Sequence, residues 1–389
     1  MRIEDDNLIV SLEGHIDSGN AIDAETMIRN ALEAHPDKAL VLDLEHLDYI
    51  SSAGLRVLLA VSKRSPKPMT LINASPEVYD VLDMTGFTTL FNVERRMREI
   101  DVTGCEVIGR GAIGTVYRID ADTIVKVYNV PNALAMIRNE QRRAKQAFLK
   151  GVPTAISYDA VRVGDRYGSV FEMVDAKTYN DLLVEHPEDA DDILRRYAGI
   201  IQQVHAIEAK PGELPDCREI YLQYIDEIGD SLPPALSDRL RTLFREMPED
   251  LHLIHGDFHM KNMMLAGGES LLIDMDTLSV GNPVFDFAGI YVAYRAFNEH
   301  DPNNSMDFLE IPEEMCEKIW RTTLEICVDA PDAAAFEEKK KRVVIVASVR
   351  FLYLLTVLRL GGDALRDIRI RDTIRRLEAL TDEVEGLEI

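Results

Sequence analysis

Between residues 106 and 128 the chain reads EVIGRGAIGTVYRIDADTIVKVY, a glycine-rich loop set among strand-like stretches, and no other feature restricts the fold as much. Gly109, Gly111 and Gly114 form a GxGxxG, a spacing that unrelated nucleotide-binding loops share. In a dinucleotide-binding fold the third glycine opens a helix, and an acidic residue follows about 20 positions later. Here residues 115–119 and 123–128 instead read as two strands joined by a turn at 120–122, which argues against that fold. A glycine loop between two strands forms a flap, because backbone without side chains lets amides approach phosphate oxygens.

Lys126 lies in IVKVY, where β-branched neighbours read as buried and the ammonium needs a partner. A helix expected over 132–150 offers Glu140. Either residue alone reads as a surface charge; beside the glycine loop they read as a lysine holding the α- and β-phosphates and a glutamate positioning it. The strongest segment is HGDFHMKN, His255 to Asn262, followed after a short strand by IDMD from Ile273. Phosphoryl transfer needs a carboxylate to orient or deprotonate the attacking hydroxyl, and oxygen ligands for magnesium. Asp257 fits the first role, and Asn262 and Asp274 fit the second. His255 and His259 read as hydrogen-bonding groups of the loop rather than metal ligands, and Asp286 as its brace. Asp276 reads either as a second metal contact or as a solvated helix-start acid.

The flanking sequence sets the frame. With 389 residues, two or three domains are expected. A net charge of -25 disfavours nucleic acid and membrane headgroups as partners. The start, MRIEDDNLIV, lacks a basic region, and the longest apolar runs, 343–349 and 351–357, fall short of a membrane span and are split by Arg350, so a cytoplasmic location is expected. Four scattered cysteines suggest neither zinc nor disulfides and are expected to be buried thiols. Residues 1–100 alternate strand (8–12, 39–44, 69–72) with helix (21–34, 55–62, 76–82), which predicts a small α/β layer. The pattern breaks over 95–106. A strand-rich stretch follows, and from Asp181 nearly everything reads as helix except 253–273, which predicts a sheet-rich lobe and a helical lobe.

Through HGDxxxxN at 255–262, ID at 273–274 and GNPVFDFA from Gly281, residues 103–389 resemble the aminoglycoside phosphotransferase and choline kinase group of the protein-kinase-like fold. The resemblance implies Asp257 as catalytic base, Asn262 and Asp274 as magnesium ligands, Lys126 with Glu140 as the phosphate-binding pair, and residues 172–174, from Glu172 to Val174, as the hinge facing adenine. It also implies ATP and magnesium as cofactors and a small-molecule hydroxyl as acceptor. Where the family often has Pro-Gly, this chain has Met260 and Lys261.

Residues 1–100, with GHIDSGNA from Gly14 and LVLDLEHLDYISSAGLRVLL from Leu40, resemble the STAS domain of bacterial anti-sigma factor antagonists. By that resemblance Ser52 is the phosphoacceptor of a partner switch; the alternative is that Ser51 and Ser52 cap a helix. The expected architecture is an α/β STAS-like domain over 1–100, followed by a two-lobed α+β kinase-like region with an N-lobe over 103–175 and a C-lobe over 176–389. The expected function is ATP-dependent phosphotransfer with a regulatory or docking STAS-like domain, which an anti-sigma-type signalling protein would engage. The alternative is a protein kinase or nucleotide sensor in a partner switch.

Overall fold

Leu8, Val10 and Leu12 alternate along Asn7–Ile16 and are buried, as expected of a strand with one face on a core. In the computed structural model, which describes residues 1–389 except Asp5, Ala112, Pro131, Asn132, Asp175 and Gly361, this strand lies in a five-stranded sheet. Arg2–Glu4 pairs with it antiparallel, and Ala39–Ile50, Thr70–Ala74 and Asn92–Arg95 follow in parallel. Ile28 and Leu32 of Ala21–Ala34, Val57 and Leu58 of Ser52–Ser62, and Val78 and Leu82 of Pro76–Met84 share a core with Leu40, Leu42 and Leu71. The predicted α/β layer is therefore present. Ala39–Ile50 runs six residues past its expected end at Leu44, because register shifts between Ser11 and Glu13 and between Gly14 and His15 keep it paired. The edge strands Arg2–Glu4 and Asn92–Arg95 are short and carry one apolar residue each, Ile3 and Val93, too few for an alternation to show.

The chain divides into two compact units, Met1–Asp101 with Val161–Asp165, and Val102–Ala160 with Arg166–Ile389. In the second unit, Glu106–Arg110, Gly114–Arg118, Thr123–Tyr128 and Arg166–Glu172 pair antiparallel in the order first, second, third, fourth. Val125, Val127 and Val170 are buried, as is Ile137 of the helix Ala133–Leu149 that follows the third strand. The expected start of that helix at Asn132, and Ala112 in the glycine loop, lie outside the described residues.

The remainder is helical, as expected: Tyr179–Glu185, Ala190–His205, Cys217–Ile228, Pro234–Glu246, Val284–Tyr291, Glu313–Cys327, Ala333–Thr356 and Asp363–Leu380 are its longer helices. The interruption over 253–273 resolves into short strands, with Leu253–Ile254 paired to Ser279–Val280 and Met263–Ala266 paired to Glu269–Leu272. The two apolar runs around Arg350 belong to a single helix, Ala333–Thr356, which is mostly buried from Val343 onward. Among the described residues no helix is long and apolar enough to cross a membrane. The expectation of four buried thiols holds for Cys217 and Cys316 only. Cys105, just before the first strand of this unit, and Cys327, the last residue of Glu313–Cys327, are half-buried because neither element closes over them.

Candidate active site

The segment His255 to Asn262 leaves the strand Leu253–Ile254 through a turn that only glycine fits. Gly256 has φ +84°, and a Cβ there would lie 2.9 Å from Thr277 Cβ and from the Thr277 carbonyl oxygen. Asp286, fully buried on Val284–Tyr291, holds this turn. Its Oδ2 accepts from the His255 amide at 3.1 Å and its Oδ1 from the Gly256 amide at 2.6 Å, and His205 Nε2 lies 2.8 Å from Oδ2. His255 lies beneath the loop. The Asp257 amide donates to its Nδ1 at 3.3 Å, so the ring proton sits on Nε2, 3.2 Å from the Ile273 carbonyl. Burial keeps this imidazole below its usual pKa, in keeping with a neutral structural histidine. Two buried tyrosines complete the support: Tyr197 Oη donates to the Phe258 carbonyl at 2.7 Å, and Tyr294 Oη accepts from the Met260 amide at 2.8 Å. Tyr294 stands in a π-helical turn, Val292–Ala296, that continues Val284–Tyr291.

On this support the Asp257 carboxylate is half-buried and contacted at both oxygens. Asn262 Nδ2 donates to Oδ2 at 3.1 Å and to the Asp257 carbonyl at 3.1 Å, His259 Nε2 lies 3.5 Å from Oδ2, and Arg350 Nη2 lies 3.4 Å from Oδ1. Although burial works against its charge, His259 and Arg350 hold the Asp257 carboxyl well below the usual carboxylate range. Asp257 is therefore ionised at neutral pH.

Lys126 projects from Thr123–Tyr128 between two acids, with Nζ 3.0 Å from Asp274 Oδ1 and 3.6 Å from Glu140 Oε1. Glu140 is also bonded by Tyr128 Oη. Despite the burial of its ammonium, Asp274 and Glu140 raise the Lys126 pKa well above the usual range. Asp274 takes a left-handed backbone with φ 63°, a conformation that Asp tolerates better than most residues, and the next residues form the short helical turn Met275–Thr277. Burial first, and the carboxylates of Asp274 and Glu140 next, push the Asp276 carboxyl up to about 7. This crowding of Asp257, Asp274, Asp276 and Glu140 suits a hard divalent cation, which binds oxygen donors. Asp274 and Asn262 each carry such an oxygen donor. The Asn262 amide nitrogen is turned to Asp257, which puts the amide oxygen on the opposite side of the group.

The structure thus brings Lys126, Glu140 and Asp274 together at one place and joins Asp257 to Asn262. Of the three loop glycines, Gly114 is required by packing, since a Cβ would lie 2.6 Å from the Val127 carbonyl oxygen, whereas Gly109 and Gly111 have room for one. Glu172 is exposed at the end of Arg166–Glu172, and Val174 follows it half-buried. In the N-terminal unit Ser51 is the helix cap: its Oγ accepts from the Ala53 amide at 3.1 Å, and Ser52 stands exposed in the first turn. The sequence reading missed Arg350, His205, Tyr197 and Tyr294. For Arg350 the signal was present, as an arginine splitting two apolar runs needs a buried partner.

The sequence model of the phosphotransferase enzyme family (APH) matches residues 104–309, and that of the STAS domain matches residues 1–100. The Bordetella bronchiseptica protein BtrV, assigned as an anti-sigma factor antagonist, is 38% identical over 92 residues, covering 23% of this chain and 78% of its own length. Among solved structures, the ADP-bound aminoglycoside phosphotransferase APH(2'')-Ib aligns at 15% identity with a TM-score of 0.48, over 77% of this chain and 97% of that one. A choline/ethanolamine kinase family protein from Mesorhizobium loti aligns at 16% identity with a TM-score of 0.43, over 74% and 90% of the two chains. With residues 104–309 of 389 matched, the chain belongs to the phosphotransferase enzyme family and carries a STAS domain at its N-terminus.

Proposed function

We propose that the chain transfers the γ-phosphoryl group of ATP to a hydroxyl of a small molecule. The observation that carries this reading is the convergence of Lys126, Glu140 and Asp274 on one point, with Asp257 and Asn262 linked on the adjoining loop. In this reading Lys126, positioned by Glu140, holds the α- and β-phosphates under the Gly109, Gly111 and Gly114 flap, and the segment from Glu172 to Val174 faces the base. Asp274 and Asn262 would hold magnesium, which would offset the charge of the phosphates. Asp257, ionised and half-exposed, accepts the proton of the acceptor hydroxyl as its oxygen bonds to the γ-phosphorus. The bond from that phosphorus to the β,γ-bridging oxygen breaks, and ADP leaves. The reading puts the enzyme in the cytoplasm, where the nucleotide is abundant.

The test is a pair of variants assayed by ADP release with magnesium and ATP. Asp274→Asn should weaken nucleotide binding, while Asp257→Asn should bind nucleotide as the parent does and lose turnover. Full turnover of Asp257→Asn overturns the mechanism.

We further propose that Ser52 accepts a regulatory phosphate that governs engagement of an anti-sigma-type partner. Two features support this: Ser51 supplies the cap, so the exposed Ser52 hydroxyl is not needed for it, and a phosphate at a helix start is stabilised by the free amides there. Phosphosite mapping of the parent and of Ser52→Ala decides it. Absence of phosphate on Ser52 in cells, with Ser52→Asp binding partners like the parent, overturns it.

A further inference from the structure

Arg350 occupies an unusual place for a charge. It lies in the middle of Ala333–Thr356, next to the buried Val349 and Phe351, with only 17% of its side chain exposed. A guanidinium is retained in such surroundings where fixed partners offset its desolvation. Its partners are on the loop: Nη1 donates to the Gly256 carbonyl, and Nη2 lies 3.4 Å from Asp257 Oδ1. The neighbouring helix makes room for it at Gly289, where a Cβ would lie 3.3 Å from Nη1. Arg350 also falls outside the 104–309 segment that the family match covers.

We infer that Arg350 is a positioning residue that fixes the plane of the Asp257 carboxylate for phosphoryl transfer. This rests on the reading of Asp257 given above. One planar group spans a backbone carbonyl and the carboxylate of the next residue, while Asn262 and His259 approach the other oxygen at 3.1 and 3.5 Å, so rotation about the Asp257 side chain is restrained from both sides. Arg350's own contacts, to the Gly256 carbonyl and Asp257, involve none of Lys126, Glu140, Asn262 or Asp274, so the effect of changing it falls on turnover and spares nucleotide binding. A lysine ammonium is a point charge and meets one of the two acceptors, not both.

The experiment measures ADP release from magnesium-ATP, with water as the acceptor, in the full chain. Arg350→Met should lower kcat by about 100-fold and Arg350→Lys by about 10-fold, each with the KM for ATP within about threefold of the parent, as expected when a reacting group is misplaced by an ångström or so. Millimolar guanidinium should restore part of the turnover of Arg350→Ala. In the Asp257→Asn background, adding Arg350→Met should slow the residual rate no further. Parent-like kcat in Arg350→Lys, or a rise in KM with kcat unchanged, overturns the inference; if Arg350→Met does not fold, the lysine variant alone decides. An Asp257→Asn protein with full turnover would defeat the underlying reading, whereas an inactive Asp257→Asn beside a normal Arg350→Lys would defeat only the role of Arg350.

Discussion

Asp286 offers the sharpest test of how the loop is held. Its carboxylate is fully buried, accepts the amides of His255 and Gly256 at 3.1 and 2.6 Å, and lies 2.8 Å from His205 Nε2. Asp286→Ala leaves two backbone donors and a ring nitrogen without that acceptor in a site that water does not enter. Each orphaned donor costs about 1–3 kcal/mol. These contributions overlap, so about 3–5 kcal/mol is expected for the whole change. Asp286→Asn keeps a carbonyl oxygen for one of the amides and should lose about 1–3 kcal/mol. At about 2–4 °C per kcal/mol for a unit of this size, the alanine variant should melt roughly 6–20 °C below the parent. The assay is thermal unfolding followed by far-ultraviolet circular dichroism, with ADP release measured well below the transition. Turnover should fall even where the protein is folded, because the same amides set the path of the chain into Asp257. A melting point within about 1 °C of the parent, which corresponds to under 0.5 kcal/mol, would refute the argument that Asp286 braces the loop.

Other consequences follow from single contacts. Lys126→Met removes the group shared by Asp274 and Glu140 and should lower ADP release by about 100-fold or more; a parent-like rate would return Lys126 to a purely structural charge. Gly114→Ala puts a Cβ 2.6 Å from the Val127 carbonyl oxygen and should cost about 1–3 kcal/mol in urea unfolding, whereas at Gly111 the nearest atom is 3.9 Å away and the same change should stay within about 0.5 kcal/mol. Ser51→Ala should lose about 1 kcal/mol of protection over residues 52–62 in hydrogen exchange of the full chain, and Ser52→Ala about none; equal effects would mean that both hydroxyls cap the helix.

Much of this protein was legible in the sequence because the signals are local. A strand that buries one face must alternate, as Leu8, Val10 and Leu12 do, and the loop that joins Asp257 to Asn262 keeps them five residues apart in the chain. Such constraints act within a few residues of chain, and neighbouring side chains report them. The edge strands Arg2–Glu4 and Asn92–Arg95 left no such trace, since their pairing is a property of backbone groups that every residue carries. Which serine capped its helix was equally undecided, because Ser51 and Ser52 have the same chemistry and only the backbone geometry separates them. Chain folding alone decided the rest of the site. Lys126 and Asp274 are 148 residues apart, and Arg350 stands 93 residues beyond Asp257 in the apolar half of its helix. The sequence determined which groups had the chemistry to act. Tertiary packing determined which of them meet, because ion pairs and loop braces between distant elements form only once the helices and strands carrying them have buried their apolar faces.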